Sequence, residues 1–208
     1  MFPYKIDLML AGSPCQGFSY SGKRLNFDDP RSKLFFEYVR LLKALKPKYF
    51  LLENVGMKKE FRDIISGYLG CEPIHINSAK LTAQNRPRFY WTNIPNVTQP
   101  TDKGITAEQV LNIKDVKVGQ PQPYPRNYKK LGLKRVERME FRTDGKFNSI
   151  ITNSLKNQIE TEKGYRKLTP VECEILQTVP INYTDCVSNT QRYKMIGNGW
   201  TVDVIVHI

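Results

Sequence analysis

Two short apolar runs, residues 6–11 and 49–52, flank a stripe of helical periodicity, and that alternation constrains the fold more than any other feature of the chain. The first run ends at Gly12 and Pro14, as a buried strand does when it delivers a loop. Between the runs, Asp29-Pro30 supplies an N-cap residue and a proline suited to the first helical position. Leu34, Tyr38, Leu41 and Leu45 then share one helical stripe until Pro47 stops the pattern. The second run ends at Glu53-Asn54. A shorter helix over residues 61–69 closes on Gly70, and alternating Ile74 and Ile76 lead to an aromatic strand at Phe89-Tyr90-Trp91. Strand, helix, strand, helix, strand predicts an α/β core on a parallel sheet, whose neighbouring strands open their C-terminal ends onto one crevice.

The texture changes after Pro95. Residues 96–165 carry few long apolar runs and many Pro, Asn, Gln and Lys, and read as a small irregular lobe with short strands. Charge concentrates there: residues 111–167 hold 14 Lys/Arg and 6 Asp/Glu, a net +8 of the chain's +12. A surface this basic fits a polyanion, nucleic acid first. Regular structure returns at Thr169-Pro170-Val171-Glu172, with Thr as N-cap and Pro in the first turn, in a helix ending near Gln177. The chain then turns at Gly197-Asn198-Gly199 into apolar residues 202–208. The expected organisation is a core portion over 1–97, a basic recognition region over 98–165, and a return to the core over 166–208.

No run approaches the roughly 18 apolar residues needed to span a bilayer, and no secretory signal opens the chain. A protein with no membrane segment follows, cytoplasmic in a prokaryote or virus and nuclear in a eukaryote. Cys15, Cys71, Cys173 and Cys186 have no Cys-x-x-Cys spacing and only His75 and His207 as companions, so no metal site is expected.

Cys15, in Gly12-Ser13-Pro14-Cys15-Gln16, stands on the loop after the first strand, where a nearby helix N-terminus can stabilise a thiolate. A lone cysteine is more often a small buried hydrophobe. Glu53 ends the neighbouring strand and can face that thiol across the crevice, although a carboxylate there can equally cap a helix or form a salt bridge. Gln84-x-Arg86-x-Arg88 precedes the aromatic strand, and period-two alternation turns both arginines to one side.

In this order, Pro14-Cys15-Gln16, Glu53-Asn54-Val55 and Gln84-x-Arg86-x-Arg88 resemble the DNA cytosine-C5 methyltransferase family. The likeness continues through Ser19-Tyr20-Ser21-Gly22-Lys23, Arg31 and Leu34-Phe35-Phe36, through Arg166-Lys167-Leu168-Thr169 with Glu172, Leu176-Gln177 and Pro180, and through Gly197-Asn198-Gly199. Six blocks over residues 12–206 are far more specific than one short motif. The resemblance implies a Rossmann-like S-adenosylmethionine-dependent methyltransferase fold with a small target-recognition lobe. It implies that Cys15 adds to cytosine C6, that Glu53 protonates the ring, that Arg88 binds the base oxygen, and that Arg86 supports the cysteine and the DNA backbone. Gln16, Ser19, Ser21, Lys23 and Arg31 match the loop that meets DNA behind a flipped base. Pro14, Leu34, Asn198, Gly199 and Trp200 match positions around S-adenosylmethionine. DNA is the implied partner, and restriction–modification the associated setting.

The family's Gly-rich first strand-loop and its ribose-binding acidic residue have no counterpart upstream of Cys15. The fold is therefore expected to be N-terminally incomplete, with a second polypeptide as one source of the missing segment. That departure keeps open a DNA-binding or regulatory subunit of a methyltransferase, and some relatives act on RNA cytosine.

Overall fold

A computed structural model describes residues 5–13, 34–152 and 157–208. The described chain groups into two compact units, the first formed by Met1–Asn77, Pro87–Gln99 and Ile208, the second by Ser78–Arg86 and Pro100–His207.

In the first unit, strand β1 (Leu8–Gly12) runs parallel to β2 (Tyr49–Asn54). Helix α1 (Leu34–Leu45) lies between them in sequence, and α2 (Lys59–Leu69) leads to β3 (Ile74–Asn77). The aromatic strand β5 (Pro87–Thr92) inserts between β2 and β3, giving the order β1-β2-β5-β3, and runs antiparallel to both neighbours. The all-parallel expectation therefore fails at one strand. The chain leaves β3 through residues 78–86 and re-enters the sheet head-on, a reversal that periodicity cannot report.

The predicted α1 stripe is also displaced. Phe35, Tyr38 and Val39 are the buried residues, while Leu34 and Leu41 are exposed. The neighbours decide which stripe faces inward: Phe35 and Val39 pack with Phe50, Leu52, Met57, Ile65 and Trp91 in one core cluster. Burying a side chain of this size contributes about 1.5–3 kcal/mol. Trp91 is fully buried and its indole N–H donates to Ser66 Oγ at 3.0 Å, which satisfies the one polar atom the ring carries. Gly70 closes α2 at φ +71, the left-handed conformation glycine adopts without cost, and its N–H donates to the Ser66 carbonyl.

The second unit is more regular than its composition predicts. Strands β6 (Val118–Tyr124), β7 (Val136–Phe141), β9 (Gln158–Thr161) and β10 (Gly164–Lys167) form an antiparallel sheet in the order β10-β9-β6-β7. Two prolines hid β6. The Val118 carbonyl accepts from Arg142 on the β7 side and the Lys117 carbonyl from Glu160 on the β9 side, so Pro121 and Pro123 direct their nitrogens to the side where β9 has already ended. No ladder hydrogen bond is lost there. A small parallel pair joins β4 (Gln84–Asn85) to β8 (Phe147–Asn148).

Helices α3 (Ala107–Leu111), α4 (Pro170–Leu176), α5 (Asn189–Asn198) and α6 (Val202–His207) complete the unit. Its core gathers Ala83, Val118, Phe147, Ile150, Ile159, Leu168, Leu176 and Ile196. The Thr169–Glu172 capping box forms as read, with both reciprocal hydrogen bonds. Residues 166–207 thus join the basic lobe in one unit, where a return to the core was expected. Gly197 and Asn198 are the last turn of α5, not a loop. A Cβ on Gly197 would stand 2.4 Å from the Ile151 carbonyl carbon and from the Thr152 nitrogen, so backbone approach explains this glycine. Gly197→Ala is expected to lower the melting temperature by several degrees through forced displacement of residues 151–152, read by calorimetry; an unchanged melt would contradict the close contact.

Candidate active site

Glu53 sits at the C-terminal end of β2, buried, directly opposite Gly12 of β1 and Tyr90 of β5. The strand ends thus present it beside the segment that leads to Cys15. Arg88 on β5 brings Nε to 2.8 Å from Glu53 Oε1, and both side chains are largely buried. The Nε–H does not align for a hydrogen bond, so the contact is a close ion pair. Arg88 also donates from Nη1 to the Pro87 carbonyl at 2.8 Å. Glu53 Oε2 has no partner among the described residues.

Asn54 was a silent member of its motif in the sequence, and the structure gives it a task. Its Nδ2 donates to Ser13 Oγ at 2.9 Å and its Oδ1 accepts from Val55 N–H at 2.8 Å, with the side chain 1% exposed. It ties the end of β2 to the residue two positions before Cys15. A buried asparagine whose carbonyl and amide are both used holds one geometry.

Arg86 departs from the expectation. It precedes β5, so the alternation of that strand does not extend to it, and its side chain belongs to the second unit. Nη1 donates to the Ile150 carbonyl at 2.7 Å, and Nη2 to the carbonyls of Gly199 at 2.9 Å and Gly197 at 3.2 Å. At 4% exposure this guanidinium is a clamp on the end of α5.

Gln84 and Gln177 extend the clamp. Gln84 Nε2 donates to the Leu176 carbonyl and to Gln177 Oε1, both at 3.0 Å, while its Oε1 accepts from Ile150 N–H at 2.8 Å. Gln177 Nε2 reaches the carbonyls of Ile196 at 2.8 Å and Gly199 at 3.1 Å, and Thr201 Oγ1 donates back to Gln177 Oε1 at 2.8 Å. Buried amides with every group engaged are specific and demanding. Their partners are 19 to 93 positions away in the chain, which is why the motif around Gln177 gave that side chain no task and no local pattern singled out Thr201.

These bonds hold one wall of a cavity of about 460 Å³. Val179, Pro180, Tyr183, Met195, Trp200 and Val202 line it, with Gly199 at its edge. Of the predicted cofactor positions in this unit, Gly199 and Trp200 reach the cavity and Asn198, exposed at the end of α5, does not. Leu34 belongs to the first unit and is exposed there. Pro14, Cys15, Gln16, Ser19, Ser21, Lys23 and Arg31 lie outside the described residues. Among the described residues no cluster of His, Cys, Asp and Glu is placed to hold a metal, and no helix is long and apolar enough to cross a membrane.

The first unit carries a mixed sheet with a carboxylate and an arginine paired at its strand ends, the second unit holds an apolar cavity, and comparison with known proteins gives the class. The family model of C-5 cytosine-specific DNA methylases matches residues 1–117 and 91–208, together the whole sequence. The chain belongs to that family, and with it to the DNA cytosine methyltransferases. It is 30% identical over 257 aligned positions to the Type II methyltransferase M.HpaII of Haemophilus parainfluenzae, covering 98% of this chain and 70% of that protein. With the Type II methyltransferase M1.ScrFI of Lactococcus lactis subsp. cremoris it shares 32% identity, covering 96% of this chain and 60% of the relative. A solved structure described as a DNA modification methyltransferase encoded within an E. coli prophage matches the fold with a TM-score of 0.64 at 16% identity, covering 99% of this chain and 79% of that one.

Proposed function

We propose that this chain carries the bond-making residues of DNA cytosine-C5 methylation, with Cys15 as nucleophile, Glu53 as proton donor and Arg88 as the cation that orients both Glu53 and the base. The observation that carries this reading is the register Gly12↔Glu53, with Arg88 closing on Glu53 from β5. Cys15 follows Gly12 by three residues, a span of at most about 11 Å along the chain. Cytosine C5 is a poor nucleophile until a thiolate has added to C6, and the added electron density is tolerated when a nearby acid protonates N3. Arg88 occupies Glu53 Oε1 and leaves Oε2 for that proton. Arg86 is a positioning residue here, holding the carbonyls of Gly197 and Gly199 through a fixed guanidinium.

S-adenosylmethionine supplies the electrophilic methyl group to such chemistry. The cavity fits part of it: a half-buried Trp200 with Val179 and Pro180 suits a flat purine and apolar methylenes, and about 460 Å³ lies within the range of small-molecule sites. Its lining includes no carboxylate, so ribose hydroxyls would find their partners on other residues, of this polypeptide or of a second one. Pro14, Leu34 and Asn198 are cofactor candidates on the sequence resemblance alone. Gln16, Ser19, Ser21, Lys23 and Arg31 are the candidates for holding the DNA around the flipped base.

The expected result is transfer of label from methyl-labelled S-adenosylmethionine to duplex DNA, with 5-methylcytosine as the modified nucleoside on digestion. Label in RNA alone, or DNA binding with no transfer even when the upstream half of a relative is added in trans, would overturn the reading in favour of an RNA enzyme or a non-catalytic DNA-binding subunit.

A further inference from the structure

We infer that Gln177, Thr201 and Ser78 are positioning residues for Trp200, and that through the Trp200 ring they set how tightly the second unit's cavity holds the purine of S-adenosylmethionine. The inference rests on the reading of the chain as an S-adenosylmethionine-dependent methyltransferase and names what fixes the aromatic wall of its cofactor site.

Trp200 stands in the three-residue link between α5 and α6, half-buried on the cavity. It makes no hydrogen bond of its own among the described residues, so the backbone on either side decides where the ring lies. One side chain holds both sides. Gln177 Nε2 donates to the Gly199 carbonyl at 3.1 Å, and Gln177 Oε1 accepts from Thr201 Oγ1 at 2.8 Å. The residues before and after Trp200 are therefore bonded to the two ends of a single buried amide.

That amide can serve in one orientation only, and two hydroxyls enforce it. Ser78 Oγ donates to Thr201 Oγ1 at 2.9 Å, which commits the Thr201 proton to Gln177 Oε1. Gln84 Nε2 donates to the same oxygen at 3.0 Å, so the Gln177 nitrogen must face the Ile196 and Gly199 carbonyls. Ser78, Gln84, Gln177 and Thr201 are each at most 1% exposed, a depth at which an unmade hydrogen bond is costly.

The turn that carries Gln177 is held against its own preference. Thr178 has φ +56, a backbone conformation that is costly for a β-branched residue. Its hydroxyl donates to the Gln177 carbonyl and accepts from Asp203 N–H, both at 2.8 Å, and Val202 N–H donates to the Gln177 carbonyl at 3.0 Å. The first turn of α6 is thus tied to the same residues that bracket Trp200. Strain retained beside a cavity marks a wall built to one shape. A stacking ring gains from a fixed place, because little is left to order when the ligand arrives. Gln177, Thr201 and Ser78 carry no charge and no acid, so they act on affinity and leave bond-making to other groups.

The test is fluorine NMR of the full chain labelled with 5-fluorotryptophan. Its two tryptophans give two lines, assigned with Trp200→Phe, and Trp91, fully buried with its N–H on Ser66, is the internal reference. Thr201→Val should move and broaden the Trp200 line and leave the Trp91 line in place, and Thr201→Ser should restore the parent spectrum. Titration with S-adenosylhomocysteine, the upstream half of a relative being added in trans, should shift the Trp200 line, with binding about three- to tenfold weaker in Thr201→Val and restored in Thr201→Ser. The KM for S-adenosylmethionine should rise by the same factor while kcat stays within about twofold. Ser78→Ala, the milder change, should shift the Trp200 line the same way, and it replaces Thr201→Val if a thermal melt shows that variant unfolded. An unmoved Trp200 line, equal changes in both lines, no response of the parent line to S-adenosylhomocysteine, or a kcat that falls as far as KM rises would each overturn the assignment. Methyl transfer at the parent KM in Thr201→Val would overturn it too, while the proposed activity stands. S-adenosylhomocysteine binding that depends on Thr201, with no methyl transfer to DNA, would refute that activity and leave this inference standing.

Discussion

With S-adenosylmethionine and a duplex carrying 5-fluorocytosine at the target position, the protein should give a denaturation-resistant protein–DNA band, and Cys15→Ser should abolish it. After the thiolate adds to C6 and the methyl group joins C5, an ordinary cytosine loses the C5 proton and expels the sulfur. Fluorine cannot leave as a cation, so the sulfur–carbon bond persists. Cys71, Cys173 and Cys186 fall among the described residues. Cys173 is fully buried, and burial pushes its thiol up to about 12; Cys71 is half-buried and raised for the same first reason; Cys186 is exposed. Peptide mapping of the band should therefore return Cys15, and attachment at Cys71, Cys173 or Cys186 would mean that the nucleophile is misassigned. Glu53→Gln should lower methyl transfer by about 10²–10⁴-fold, the usual contribution of a positioned proton donor, while DNA affinity changes far less. Equal loss in affinity and turnover would instead make Glu53 a structural anchor for Arg88.

Glu174→Ala should cost the second unit about 3–5 kcal/mol and lower its melting temperature by many degrees. Glu174 is fully buried on α4. Its carboxylate accepts from Asn182 N–H at 2.7 Å, Thr184 N–H at 3.0 Å, the Thr184 hydroxyl, and Arg192 Nη2 of α5 at 3.0 Å. Deleting it leaves a nearly buried guanidinium and two amide donors without an acceptor, the expensive half of a broken pair. Residues 179–184, which this carboxylate holds, form much of the cavity wall. Burial alone would raise the Glu174 pKa; the bonds from Thr184, Arg192 and Asn182 outweigh it and bring the value below the ordinary carboxylate range. A depressed folded value means the stabilisation is complete above the unfolded pKa and is lost as pH falls through the folded one. The parent should therefore lose melting temperature in acid, below about pH 4.5, more steeply than Glu174→Gln, whose side chain does not titrate there. Parallel acid profiles, or a Glu174→Ala melt within a few degrees of the parent, would show that the pair contributes little.

Much of the architecture was legible where the controlling physics is local. The end of α2 at Gly70, the capping box at Thr169 and Glu172, and the buried strand β2 each depend on residues within four or five positions of one another. The six motif blocks were legible because bond-making chemistry demands particular atoms in a particular order. The regular β6–β10 sheet was not, because Pro121 and Pro123 read as breakers until the pairing side of each nitrogen is known.

By itself the sequence determined the residue types available for chemistry, the family, the basic character of residues 111–167 and most local element types, since each follows from side-chain chemistry or short-range backbone preference. Only the tertiary structure decided that β5 runs against its neighbours, that α1 buries Phe35 and Val39 rather than Leu34 and Leu41, that Arg88 pairs with Glu53 while Arg86 clamps Gly197 and Gly199, and that Asn54 holds Ser13. Each of these is a choice of partner among residues distant in the chain. Such choices are set by packing and by the need to satisfy buried polar groups, which no window of sequence contains.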